Sequence, residues 1–344
     1  MEYWLTLSDG TFWPGSSDTA LRDLEGEVVF TTANGGYPQS LSDPSYKGQI
    51  LIFAFPAIGI YGVDSDHLEG ERPWISAAIV QNVEKTPEKG ILQLEQWLKQ
   101  WDIPLLFDMD CRSLILHLRE KGTLMGRISG NILTPSLQSL PGTLVSEVST
   151  GEIVTIGDGS RNIGVLDLGV KRNILRELES RNCRVTLFPY DTPSARILSS
   201  GLDGLVLSNG PGDPALLSSE ISTTRELLGQ IPLFGICLGT QLLALACGGK
   251  TAKLPYGHRG VNQPVLDLIS GKGYITSQNH GYAIVEKSLE GTGLEPTHRH
   301  LSDGTVEGVT HRRYNAFGVQ FHPEASPGPW DAGILFDYFL ERTD

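Results

Sequence analysis

Four cysteines stand at 111, 183, 237 and 247, and Cys237 is the one whose neighbours suit a reacting thiol. Gly235-Ile236-Cys237-Leu238-Gly239 joins an apolar run, Ile231 to Ile236, to a helix-forming run, Thr240 to Ala246. This is a G-x-C-x-G turn from strand to helix, the thiol counterpart of G-x-S-x-G. The flanking glycines make room, because a side chain there would collide with neighbouring backbone in so sharp a turn. The helix beginning after Cys237 presents free N–H groups and the positive end of its dipole, both of which favour a thiolate. Cys111, Cys183 and Cys247 lack that setting and read as core thiols. The cysteine spacing matches no zinc or redox pattern, so no metal site is expected.

A cysteine nucleophile needs a base nearby in space. Among the eight histidines, His322 follows the strand-like run Phe317 to Phe321 and opens His322-Pro323-Glu324. In an extended segment residues two apart share a side. Glu324 would then hold one imidazole nitrogen, fix the tautomer and leave the other nitrogen for the thiol. A third element is Asn209-Gly210-Pro211-Gly212-Asp213-Pro214. Alone it is an ordinary turn; beside a nucleophile, its glycines would let N–H groups approach a ligand as an oxyanion site requires. The Leu238 N–H is the natural second donor.

These pieces sit at the ends of elements. Apolar strands are expected over 162–167, 183–188, 204–208 and 231–236, with a helix over 171–180. Strand-helix alternation with continuous apolar strands implies a parallel sheet covered on both faces, whose ligands bind at the strands' carboxyl ends. The front of the chain is less regular, with strands expected over 27–32 and 49–54 and helices over 92–101 and 113–121. From 131 to 160 Ser, Thr, Pro and Gly dominate and suggest a connection. A length of 344 residues exceeds one ordinary core. The expectation is therefore α/β: a smaller mixed α/β domain over 1–150, then a mostly parallel sheet flanked by helices over 160–344.

The composition, 40% hydrophobic and 19% charged, is that of a globular chain, and a net charge of -13 disfavours a nucleic-acid partner. No run reaches the roughly 18 apolar residues of a membrane span. The start, Met1-Glu2-Tyr3-Trp4-Leu5, is no export signal. A cytoplasmic protein with free thiols is expected, away from any membrane.

In the order N-G-P-G, G-I-C-L-G, H-P-E, the three motifs resemble those of the class I (triad) glutamine amidotransferases. The resemblance implies Cys237 as nucleophile, His322 as general base and acid, Glu324 as its orienter, and Gly210 and Leu238 as oxyanion donors. Ser277-Gln278-Asn279-His280-Gly281-Tyr282 and the tail from Gln320 to Pro329 narrow it to the carbamoyl phosphate synthase small-subunit family. Gly26 to Phe30, Asp43 to Tyr46 and Leu118 to Gly122 resemble that family's amino-terminal domain. By the same resemblance Gly212, Gln241, Asn279, Gly281 and Tyr282 line a glutamine pocket. Thr32-Ala33-Asn34-Gly35-Gly36-Tyr37 departs from it, since Ala33 stands where the family has a serine that reaches glutamine. Asp110-Cys111-Arg112, Thr240 and Val63-Asp64-Ser65-Asp66 depart as well.

The resemblance implies glutamine hydrolysis that supplies ammonia to a large subunit. That partner would bind ATP and Mg and make carbamoyl phosphate from bicarbonate, with no cofactor on this chain. No G-x-x-x-x-G-K-[ST] phosphate loop occurs here. Two other readings stay open: an amidotransferase serving another acceptor, and a non-catalytic glutamine-sensing or scaffold subunit. The residues do not choose between arginine and pyrimidine supply.

Overall fold

A computed structural model describes residues 1–86 and 90–343. The chain forms two compact units, Met1–Pro141 and Gly142–Asp344. The first holds a mixed seven-stranded sheet. Leu24–Thr31 and Gln49–Phe53, at its middle, pair in parallel, whereas Leu24–Thr31 pairs antiparallel with Leu124–Ser129. Helix Cys111–Lys121 is capped by Asp110, whose carboxylate accepts from Ser113 N at 3.0 Å, and it buries Leu114 and Leu118 one turn apart.

In the second unit, parallel strands follow the order Cys183–Pro189, Arg161–Asp167, Gly204–Leu207, Leu233–Ile236, Ala316–Val319. Alternate residues feed different cores. Leu205 and Leu207 pack on one face with Leu166 and Leu233, while Val206 packs on the other with Val165, Phe234 and Ile236. Burial on both faces is why these strands read as unbroken apolar runs. Beyond Ala316–Val319 the sheet continues antiparallel through Val306–His311, Gly273–Ile284, Thr251–Asp267 and Leu294–His300.

The division into compact units falls at Pro141, nine residues before the expected end of the first domain at 150. Residues 142–150 belong to the second unit, where helix Leu144–Val148 packs Val145 among Leu166 and Leu168. The connection expected over 131–160 also contains strand Val154–Ile156, antiparallel to Cys183–Pro189. Two or three apolar residues per element were too few to stand out from the surrounding Ser, Thr and Gly. Among the described residues no helix is long and apolar enough to cross a membrane.

Candidate active site

Strand Leu233–Ile236 ends at Cys237, and helix Leu238–Ala246 begins at once. Cys237 takes φ 52° and ψ -104°, a conformation costing a side-chain-bearing residue about 1–3 kcal/mol. The surroundings hold it there. Its N–H donates to Val319 O at 2.9 Å, and its carbonyl accepts from Thr240 N at 3.1 Å and Gln241 N at 3.2 Å. A Cβ on Gly239 would stand 2.0 Å from Leu207 O, and one on Gly235 would stand 2.7 Å from Thr240 N. Both positions therefore exclude any side chain. The thiol is buried; its Sγ lies 3.7 Å from Asn279 O, and Gln320 Nε2 donates to it at 3.6 Å.

His322 Nδ1 lies 2.6 Å from Glu324 Oε1, and both side chains are buried. The expected contact exists, but its cause is corrected. The strand stops at Val319, and His322-Pro323-Glu324 is a turn closed by Ala325 N donating to His322 O at 3.1 Å. Proline's fixed φ suits that turn. Lys171 Nζ pairs with the same Glu324 oxygen at 3.0 Å and also donates to Ala325 O.

Burial opposes charge on His322, but the Glu324 carboxylate and the Cys237 sulfur outweigh it and raise its pKa. Burial likewise opposes charge on Glu324, where Lys171 and His322 prevail and lower it. The arrangement thus favours an imidazolium beside the sulfur. His322 Nε2 has no hydrogen-bond partner among the described residues, which leaves it available to Cys237 and to a reacting group.

Gly210 follows strand Gly204–Leu207, and a Cβ there would meet Leu168 O at 2.1 Å and Leu238 Cδ2 at 2.8 Å. This packing sets Gly210 against the residue after the nucleophile. Among the described residues neither the Gly210 nor the Leu238 N–H donates to a carbonyl. Two such donors, one on the residue after the nucleophile and one on the residue packed against it, suit a developing oxyanion. Gly212, at φ 93°, continues the same loop.

Asn279, Gly281 and Tyr282 lie on strand Gly273–Ile284. Gln241, on the helix after Cys237, donates through Nε2 to Tyr282 O at 2.8 Å and to Gln320 Oε1 at 3.0 Å. The second unit therefore gathers Cys237, His322, Glu324, Gly210, Leu238, Gln241, Asn279 and Tyr282. Ala33 belongs to the first unit, just past strand Leu24–Thr31, where it is buried with its N–H on Thr31 Oγ1 at 3.2 Å.

Lys171 and Gln320 were not singled out from the sequence. Lys171 read as a helix start, although a cation directly after a strand's carboxyl end was a signal that could have been used. Gln320 read as one more strand residue, two positions before His322.

Residues 164–342 match the glutamine amidotransferase class-I family, and residues 5–128 match the carbamoyl-phosphate synthase small chain, CPSase domain. A carbamoyl phosphate synthase small chain of Bacillus caldolyticus is 47% identical over 349 residues, covering 99% of this chain and 96% of the relative. One of Bacillus cereus is 44% identical over 355 residues, covering 100% and 96%. A pyrimidine-specific small chain of Lactiplantibacillus plantarum is 42% identical over 348 residues, covering 99% and 96%.

Proposed function

Because the chain belongs to the carbamoyl-phosphate synthase small-chain family and carries a class-I glutamine amidotransferase domain, we propose that it hydrolyses glutamine at Cys237 and delivers the ammonia to a large synthetase subunit. The observation that carries this reading is the buried line of contacts from Lys171 through Glu324 to His322, whose free nitrogen is left to Cys237.

In this reading the Cys237 thiolate attacks the side-chain amide carbon of glutamine. The oxygen takes up negative charge, held by the Gly210 and Leu238 N–H groups. His322, protonated and steadied by Glu324, gives its Nε2 proton to the departing nitrogen as the C–N bond breaks. Ammonia leaves, and a thioester remains on Cys237. Neutral His322 then takes a proton from water, hydroxide attacks the thioester, and collapse expels glutamate and restores the thiolate. Gly212, Gln241, Asn279, Gly281 and Tyr282 would shape the pocket for the amino-acid end of glutamine.

None of these steps needs a cofactor on this chain. ATP and Mg would act on the large subunit, where bicarbonate is activated to receive the ammonia. Free thiols at all four cysteines suit a reducing, cytoplasmic setting.

The test is glutamate release by the chain with its large subunit, compared with Cys237→Ser. Loss of the nucleophile should lower the rate by about 1,000-fold or more, and wild-type release should rise when ATP and bicarbonate are supplied. Equal rates for the two proteins overturn the catalytic reading. A chain that hydrolyses glutamine but neither co-purifies with nor responds to an ATP-using synthetase serves another acceptor.

A further inference from the structure

Away from Cys237, a second cluster of reactive side chains forms where strands Thr251–Asp267 and Gly273–Ile284 pair. The register sets His258 opposite His280, with ring centroids 4.9 Å apart and edge to face. Glu307, on strand Val306–His311, completes the group, its Oε1 lying 3.5 Å from His258 Nδ1 and 3.8 Å from His280 Nε2. These three atoms all lie within 4.8 Å of one another, and Glu307 is fully buried.

Hydrogen-bond partners decide what the inward atoms are. His280 Nδ1 is 2.9 Å from Tyr282 O, which can only accept, so the ring proton belongs on Nδ1 and Nε2 presents a lone pair. That lone pair faces Gln278 Oε1 at 3.1 Å. The Gln278 amide is held in this orientation because its Nε2 donates to Glu307 Oε2 at 3.0 Å and to Thr276 Oγ1 at 3.2 Å. His258 Nε2 lies 2.8 Å from Asp303 Oδ2, which assigns its proton outward. Its Nδ1 is left without a hydrogen-bond partner in a side chain only 9% exposed. Two imidazole nitrogens, a carboxylate and an amide oxygen thus converge on one buried spot, where burial opposes charge on His258 but the Glu307 and Asp303 carboxylates prevail and favour it, and Thr305 Oγ1 lies 3.4 Å from Glu307 Oε1. So acceptor-rich a convergence is costly in a low-dielectric interior unless a positive charge meets it.

A cation removes the conflict. Ligands about 2.0–2.2 Å from a tetrahedral zinc ion stand roughly 3.3–3.6 Å apart, close to the 3.5 and 3.8 Å found. Each inward ligand also has its outer side tied down, by Asp303, the Tyr282 carbonyl and the Gln278 amide, as metal ligands characteristically do. We propose that His258, His280 and Glu307 bind a zinc-class divalent cation, with Gln278 Oε1 as fourth ligand. Asp303, exposed and 3.6 Å from His300, holds the outer nitrogen of His258. His280 sits between Asn279 and Gly281, so the ion would pin the strand that carries the glutamine-pocket residues. The cysteine spacing gave no reason to expect a metal, because these ligands lie on three separate strands and contain no cysteine.

The experiment uses the full chain carrying Cys237→Ser, so that the thiol cannot bind metal, stripped with a chelator and titrated with zinc or cobalt(II). We expect one zinc per chain, a visible absorption band with cobalt, and a melting temperature that rises on zinc addition. Adding His258→Gln or Glu307→Gln should weaken zinc binding by more than about 100-fold, and Asp303→Asn by about 10- to 100-fold. Asp303 lies outside the inner ligand set, so its variant keeps the test decisive if the buried variants fold poorly. A stripped chain that takes up no stoichiometric zinc overturns the proposal. So does zinc uptake that none of these substitutions weakens, or a shared proton detected on the His258 and His280 rings without metal uptake.

Discussion

Gln320 offers the sharpest test of how the thiol is prepared. Its side chain is fully buried; Nε2 donates to Cys237 Sγ at 3.6 Å, while Oε1 accepts from Gln241 Nε2 at 3.0 Å. Gln320→Leu keeps most of the volume and removes both polar ends. Gln241 retains its bond to Tyr282 O, so the main loss is one donor to a sulfur that becomes negative. A hydrogen bond to a charged group contributes about 1.5–3 kcal/mol, which at roughly 1.4 kcal/mol per decade is about 10- to 150-fold in rate. The second-order rate of Cys237 alkylation by iodoacetamide at neutral pH, with the modified cysteine assigned by mass spectrometry, should fall by that factor. Glutaminase kcat/KM should fall with it, leaving KM nearly unchanged. Gln241→Leu leaves the donor to sulfur in place and should slow alkylation less. If Gln320→Leu alkylates within twofold of wild type, the amide does not act on the sulfur. A fall confined to KM would likewise refute the reasoning and assign Gln320 to glutamine instead.

Lys171→Met leaves the fully buried Glu324 with His322 as its one remaining cationic partner among those paired with it here. Breaking such a pair costs about 3–5 kcal/mol, to be read as a lower urea midpoint, and a loss below about 1 kcal/mol would contradict the buried pairing. Glu324 also predicts a pH effect. Its pKa is lowered from 4.5 to about 2, burial being outweighed by Lys171 and His322. A group depressed in the folded state contributes stability that is fully present above its unfolded pKa and lost as pH falls through the folded one. Wild-type stability should therefore decline between pH 4.5 and about 2 more steeply than that of Glu324→Gln; parallel acid limbs would disprove it. Finally, Ala33→Ser supplies the hydroxyl found in the resembling family. Glutamine KM should fall by about 2- to 12-fold if one hydrogen bond of 0.5–1.5 kcal/mol is regained, and an unchanged KM would exclude that role.

What could be read from the sequence, and what could not, divides along a physical line. The elbow around Cys237 was legible because its requirements are local. An apolar run, two glycines that exclude side chains and a helix start lie within a dozen residues, and each has its own compositional mark. His322 and Glu324 were legible as a pair for a reason the fold replaced, a proline turn standing in for an extended strand. Gln320 had no comparable mark. It reaches Cys237 because Leu233–Ile236 and Ala316–Val319 run parallel and end together with Ile236 opposite Val319, so the first residues past the two strands, Cys237 and Gln320, lie side by side. The same holds for His258 and His280, which the register of an antiparallel pair sets face to face. A shift of one residue would send either pair to opposite faces of the sheet. Chemistry built by strand register depends on a single integer that composition and periodicity do not carry. The local half of this site was therefore readable in advance, while the residues that tune it emerged only once the strands were paired.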